Sequence, residues 1–432
     1  MKKVTFVIFA LIIFFNGYST KKVYSKANNL LKKNTDLQYR DFIYNPDIKT
    51  VNLYSDKNIR SKIEPPAINI NSPNKLILEF DELYQDARYF QAKIIHCTWD
   101  WQPSDIRSIE YLSAYNEFDI QEYEYSVYSR IPYTHYTFVL PRVELPGNYL
   151  LVVYDRDNPD ELAFSKRFMI YDQIINIAFS YGESMGVQEQ RTHQQIDFIL
   201  NYNKIDLFNP QRDIKVVVRQ NQSWVTAIYD LKATQIDEFK KELEYRPFNL
   251  ENNFFGGNEF RFFDLNSVIA PGRNVDRVFI KEDRVDAFLL QDKIRKKEFY
   301  SIWDDLNGGF IISNIDGQDP RLESDYVNVH FFLQSPQKLN SDIYIFGKLS
   351  NYDLLPEFKM KYDNELKGYR ADALLKQGWY DYIYYTPDDL YSVEGSHFET
   401  ENDYEILVYI KPQGRSYDIL AGYVSFNTGR RN

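Results

Sequence analysis

Cysteine is nearly missing: Cys97 is the only one in 432 residues. One thiol excludes any intramolecular disulfide, so stability has to come from packed cores. Histidine is scarce too. His96, His135, His193, His330 and His397 are scattered, with no His-x-His or His-x-x-x-His pair. His96 and Cys97 are adjacent, so on a strand they face opposite sides and cannot grip one ion together. Positive charge is outnumbered, 51 Lys and Arg against 62 Asp and Glu, for a net charge of −11. That balance argues against a nucleic-acid backbone as partner. Helical periodicity is almost absent. Only TQIDEFKKEL (234–243), with Ile236, Phe239 and Leu243 on one face, predicts a short helix.

Long apolar runs are lacking except one. VTFVIFALIIFF, Val4–Phe15, follows Met1-Lys2-Lys3 and precedes small and turn residues up to Ala27. It has the length of a signal h-region and is too short to span a bilayer comfortably. Residues 1–27 are therefore expected to be a signal peptide, leaving an exported, soluble chain with no membrane span.

What is abundant is tyrosine, 36 residues, within a 17% aromatic content that favours strands. Period-two alternation dominates. Leu76, Leu78 and Phe80 lie opposite Lys75, Glu79 and Asp81 in KLILEFDEL; Ile214, Val216 and Val218 lie opposite Lys215 and Arg219 in DIKVVVRQ, and Tyr404, Ile406, Val408 and Ile410 opposite Glu405 and Lys411 in NDYEILVYIKP. Such runs predict half-buried antiparallel strands. Turn clusters (EPP 64–66, NSPN 71–74, PGN 146–148, DRDNPD 155–160) punctuate them. The expected fold class is all-β: tandem antiparallel β-sandwiches, immunoglobulin-like or E-set-like, with few short helices. The expected division is 36–172, 173–335 and 336–432.

Chemical motifs are few. YGESMG (181–186) matches Gly-x-Ser-x-Gly around Ser184. A nucleophile elbow needs a helix after the serine, packed on a parallel sheet, and VQEQRTHQQ has no apolar stripe. Ser184 reads as a turn residue. WDDLNGGF places Asp305, Asn307 and Gly308 like part of a calcium loop, but Trp303 and Asn314 stand where carboxylates are needed. A tight turn at Asn307-Gly308 fits better. FFGGNEFRFFD (254–264) lacks the lysine and spacing of a phosphate loop. It reads as a Gly-Gly turn that admits another backbone, then a strand with Phe260 and Phe262 on one face and Glu259 paired with Arg261 on the other. No catalytic, cofactor-binding or metal residue is expected, and the chain does not read as an enzyme.

Residues 343–385 are similar to the β-sandwich glycogen- and starch-binding modules: a strand ending in Gly, an Asn-aromatic loop and a closing Leu-x-x-Gly-aromatic-aromatic-x-Tyr. Tyr352 stands where those modules often carry a sugar-stacking Trp, and Trp379 sits in a strand. The wider pattern resembles the type IX secretion plug proteins of Bacteroidota. The resemblance rests on HCTWDWQPSDIRSIEYLSAYNEFDIQEYEYS (96–126), YTHYTFVLP (133–141), GNYLLVVYDRDNPDELAFSKRFM (147–169), NPQRDIKVVVRQNQSW (209–224), GGNEFRFFD (256–264), LKQGWYDYIYY (375–385) and EGSHFETENDYEILVYI (394–410). Pro146 and YSVYSR (125–130) depart from the usual pattern at loops. The resemblance implies a periplasmic protein, held at the inner side of the outer membrane, that binds the periplasmic end of the outer-membrane translocon barrel and seals it. It implies no cofactor and no enzymatic activity; a monomer is expected. The alternative is an envelope glycan-binding sandwich. For either, the candidate contact residues are Tyr352, Trp379, Gly256, Gly257, Asn258 and Arg261.

Overall fold

Alternation in Leu76–Glu82 turns Leu76, Leu78 and Phe80 into one apolar core. The computed structural model describes residues 36–389 and 391–429; the expected signal peptide lies outside them. Leu76–Glu82 belongs to a four-stranded sheet with Ile48–Ser55, Thr134–Val139 and Glu122–Tyr125. Facing it is a six-stranded sheet that includes Phe90–Cys97, Gly147–Asp155 and Leu162–Tyr171. Phe80 stacks on Tyr136 at 4.8 Å and meets Phe90 and Phe164 edge-on, filling the space between the sheets. No described helix is long and apolar enough to cross a membrane.

The rest of the chain does not divide at 335/336. Val329 and Phe331 share one core with Ile343 and Ile345, on the far side of that expected boundary. Strand Ile214–Gln220 instead pairs over its whole length with Asp403–Ile410, nearly two hundred residues later. A middle sandwich is thus built from segments around 175–255 and 402–428, and a third sandwich from 260–393 is inserted between its halves. A chain read in order shows strands, but hydrogen-bond pairing across such a distance leaves no local signal.

The expected helix at 234–243 is a hairpin. Gln235–Asp237 pairs with Glu242–Tyr245, Phe239 sits at the exposed tip, and Leu243 enters the core. The Asp237 carboxylate accepts the Lys240 amide and Lys241 takes φ +55°, so side-chain bonding to the backbone favours the turn.

The second correction concerns burial. DIKVVVRQ and NDYEILVYIKP are buried on both faces. Val216, Val218, Ile406 and Val408 point into the middle core, while Val217, Leu407 and Tyr409 point the other way, onto Cys97, Trp101, Leu150 and Val152. Gly147–Asp155 does the same in mirror fashion: Tyr149, Leu151 and Val153 face inward, Leu150 and Val152 outward. Two sandwiches therefore share an apolar interface between the backs of their sheets. Burial there pushes the Cys97 thiol up to about 12, which keeps it protonated.

Candidate functional site

Ser184 lies between two antiparallel strands, Asn176–Glu183 and His193–Asn201. It is buried, and its Oγ accepts hydrogen bonds from the Gly186 amide and the Asn253 side chain. That is a turn lock with no helix behind it. At Asn307-Gly308 the backbone has φ +50° and +83°, and the Gly309 amide bonds Leu306 O at 3.0 Å, closing a tight turn. Burial, then the neighbouring Asp381, pushes the Asp305 carboxyl up to about 8. No cluster of His, Cys, Asp and Glu among the described residues has metal-binding geometry.

The six contact candidates from sequence fall into two groups, both structural in their surroundings. A Cβ on Gly256 would stand 1.9 Å from His397 O, so the expected close backbone approach is real. Gly257 takes φ +71° and Asn258 donates to Glu394 O at 2.9 Å. Arg261 does not pair with Glu259. It bonds Glu394 through Nε at 3.0 Å and Asp292 through Nη1 at 2.6 Å, while Glu259 accepts from the Tyr300 hydroxyl. Burial would raise the Glu394 carboxyl, but Arg261 and Arg295 outweigh it and hold it down to about 2. Phe260 and Phe262 also part company: Phe260 packs with Phe346 and Tyr352, whereas Phe262 stacks on Trp379 at 4.5 Å, because the core-facing residue of this strand is Phe263.

Tyr352 is only 5% exposed, and its hydroxyl donates to Asn307 O at 3.1 Å. A ring so enclosed cannot stack on a sugar. Trp379 is half-buried under Phe262 and Arg273, with Nε1 donating to Asp381 at 2.9 Å. A cleft of 660 Å³ runs between residues of all three sandwiches, past Arg60, Asp305, Asp403 and Tyr423. Two of its carboxylates have side-chain partners: Asp403 takes Asn307 and Asn427, and Glu405 takes Arg219 in a two-pronged ion pair.

The unclaimed chemistry lies at one edge of the N-terminal sandwich. Glu122–Tyr125 is the last strand of its sheet, and all four residues are exposed. Tyr123 and Tyr125 sit on one face with ring centroids 5.7 Å apart, and Tyr123 leans on the core ring of Tyr136 at 6.0 Å. Tyr125, then partial burial, then Tyr89 push the Tyr123 hydroxyl up, which puts the three rings in one neighbourhood. Arg156 covers the Tyr89 ring at 4.3 Å. Tyr84, Tyr89, Tyr123 and Tyr125 keep between 40% and 53% of their surface in water, and Tyr128 just beyond keeps 91%. Glu122, Glu124 and Arg156 rim this patch. Aromatic anchors within a polar rim are the composition of a protein-docking surface.

Residues 48–172 match the family model described as type 9 secretion system plug protein 1st domain. This segment is similar to the first domain of the type IX secretion plug proteins. The matched plug domain contains the whole tyrosine edge. No curated protein matches the chain. Among solved structures, a hypothetical protein from Parabacteroides merdae is similar, with a TM-score of 0.86 and 28% identity, over 91% of this chain and 100% of that one. The plug domain is braced against the inserted sandwich by a buried cluster. Asp81 receives Lys376 Nζ at 2.7 Å, the Tyr326 hydroxyl at 2.6 Å and sits 2.6 Å from His135 Nδ1. Burial would raise the Asp81 carboxyl, yet Lys376 and His135 hold it below its ordinary value.

Sequence reasoning missed the edge because tyrosine at strand spacing reads as core. The available signal was QEYEYSVYSR (121–130), where acidic and polar residues alternate with tyrosine and no aliphatic run follows.

Proposed function

We propose that this protein is a periplasmic plug. It binds the periplasmic end of the outer-membrane translocon barrel through the tyrosine edge of its plug domain and closes the channel by occupying it. The observation that carries this reading is the open patch of Tyr84, Tyr89, Tyr123 and Tyr125 on the one domain that matches the plug family. A seal also has to resist deformation, and the buried ion pairs Asp81–Lys376, Arg219–Glu405 and Arg261–Glu394 stiffen the body that presents the patch. Export through the N-terminal segment delivers the chain to the periplasm. The action is steric, with no bond made or broken. The glycan-binding alternative loses its support with Tyr352 enclosed.

Two measurements test the proposal. A deletion strain is expected to become permeable to large polar solutes such as vancomycin while secretion continues; an unchanged barrier counts against a sealing role. Tagged full-length protein is expected to co-purify with the translocon barrel, and a Tyr84, Tyr89, Tyr123 and Tyr125 to Ser variant to lose at least about tenfold of that binding, as hot-spot aromatics do.

A further inference from the structure

The hydrogen bonds around Glu122–Tyr125 leave part of its backbone unused. The strand pairs with Thr134–Thr137 in the register Glu122↔Thr137, Tyr123↔Tyr136, Glu124↔His135 and Tyr125↔Thr134. One residue further, the Ser126 amide donates to Tyr133 O at 2.9 Å. In an antiparallel ladder the residues that bond the neighbour alternate with residues whose N–H and C=O point away. Ser126, Glu124 and Glu122 therefore face the sheet, and Val127, Tyr125 and Tyr123 face out. Val127 confirms the phase, because its amide leaves the sheet and donates to Leu322 O at 2.8 Å. Among the described residues no other backbone hydrogen bond meets this outer edge, so the N–H and C=O groups of Tyr123 and Tyr125 stay open. The two sites are spaced by about 6.7 Å, one strand repeat.

We propose that this edge accepts an extended segment of the partner protein as an added β-strand, continuing the contact that Leu322 begins. The side chains state the chemistry of that segment. Tyr123 and Tyr125 offer ring faces on one side, which suits apolar or aromatic residues. On the other side stand Glu122, with its carboxylate in water, and Glu124, already 3.2 Å from Arg321. The segment carries Lys or Arg at the alternate positions, opposite Glu122. Strand addition draws its affinity from main-chain bonds and its selectivity from alternate side chains. This inference rests on the docking reading above and specifies how that docking is made.

The experiment is residue-resolved amide hydrogen exchange on the full chain, alone, with the detergent-solubilised translocon barrel, and with an acetylated Lys-Val-Lys-Val-Lys-Val peptide at millimolar concentration. Exchange at Tyr123 and Tyr125 is expected to slow at least tenfold with either probe. Barrel binding without protection at these two amides overturns strand addition and leaves the docking reading intact. Protection by the peptide but no binding of the barrel keeps the open edge and removes the translocon as its partner. Protection by neither overturns the edge proposal. A Tyr125→Pro variant gives a second reading, since proline is tolerated on an edge strand where the N–H faces out. It is expected to weaken barrel binding about tenfold more than Tyr125→Ala, which loses the ring but keeps the amide, with an unchanged circular dichroism spectrum. Full binding by a folded Tyr125→Pro protein refutes the proposal.

Discussion

Tyrosines of the core and tyrosines of the plug-domain edge belong to the same molecule and do opposite work. Tyr149 is buried and its hydroxyl donates to Leu145 O at 2.8 Å; Tyr326 donates to Asp81 and Tyr409 to Asn148 at 2.9 Å across the sandwich interface. Each of these rings fills volume, and each hydroxyl is satisfied, because a buried hydroxyl without a partner costs free energy. Tyr123 and Tyr125 stand on the last strand of their sheet and stay half in water. A large, stiff, half-wet ring loses little entropy when a partner covers it. The difference is set by what lies opposite the ring, not by the residue type.

The comparison predicts where substitution is expensive. The largest effect is expected in the buried cluster that joins the plug domain to the inserted sandwich. Asp81→Ala leaves Lys376 buried without its counter-charge, and urea unfolding is expected to show a loss of about 3–5 kcal/mol. Adding Lys376→Met to that variant is expected to recover part of the loss. Next comes the shared interface: Leu407→Ala removes a fully buried side chain that faces Leu150 and Val152, for about 2–5 kcal/mol.

A third test uses pH. The Asp305 carboxyl is raised from 3.8 to about 8, and burial raises Asp381 to about 7. Both bind a proton more tightly folded than unfolded. Their contribution is full below about pH 4 and is lost as pH rises toward 8, with a slope of up to about 1.4 kcal/mol per pH unit for each proton. Asp305→Asn is expected to flatten that decline in unfolding measured from pH 5 to 8. Glu394 has the opposite sign: its depressed value stabilises above about 4.5, and that stability is lost as pH falls toward 2. The smallest stability effect is expected at the edge, where Tyr123→Ala changes unfolding by within about 0.5 kcal/mol while lowering barrel binding. A large destabilisation there would erase the distinction between the two classes of tyrosine.

Some of this was legible along the chain. Period two in Leu76–Glu82 and Ile214–Gln220 announced strands, and the absence of an apolar stripe after Ser184 announced a turn. Other features were hidden by non-local pairing. The Arg219 and Glu405 that alternate with apolar residues look like solvent-facing charges, yet they are buried together as a bidentate ion pair. Tyr352 looked like a sugar platform and is enclosed by Phe346 and Asn307. Ile236, Phe239 and Leu243 fit a helical spacing, but three apolar residues at that interval fit a hairpin equally well, and the Asp237 turn decided it.

Sequence alone determined that this protein is built of strands, forms no disulfide within the chain and carries tyrosine in excess, because period, cysteine count and composition are local quantities. Only the tertiary structure decided which strands pair across nearly two hundred residues, which faces are covered twice and which edge is left open. Those outcomes depend on what another part of the chain places opposite each residue.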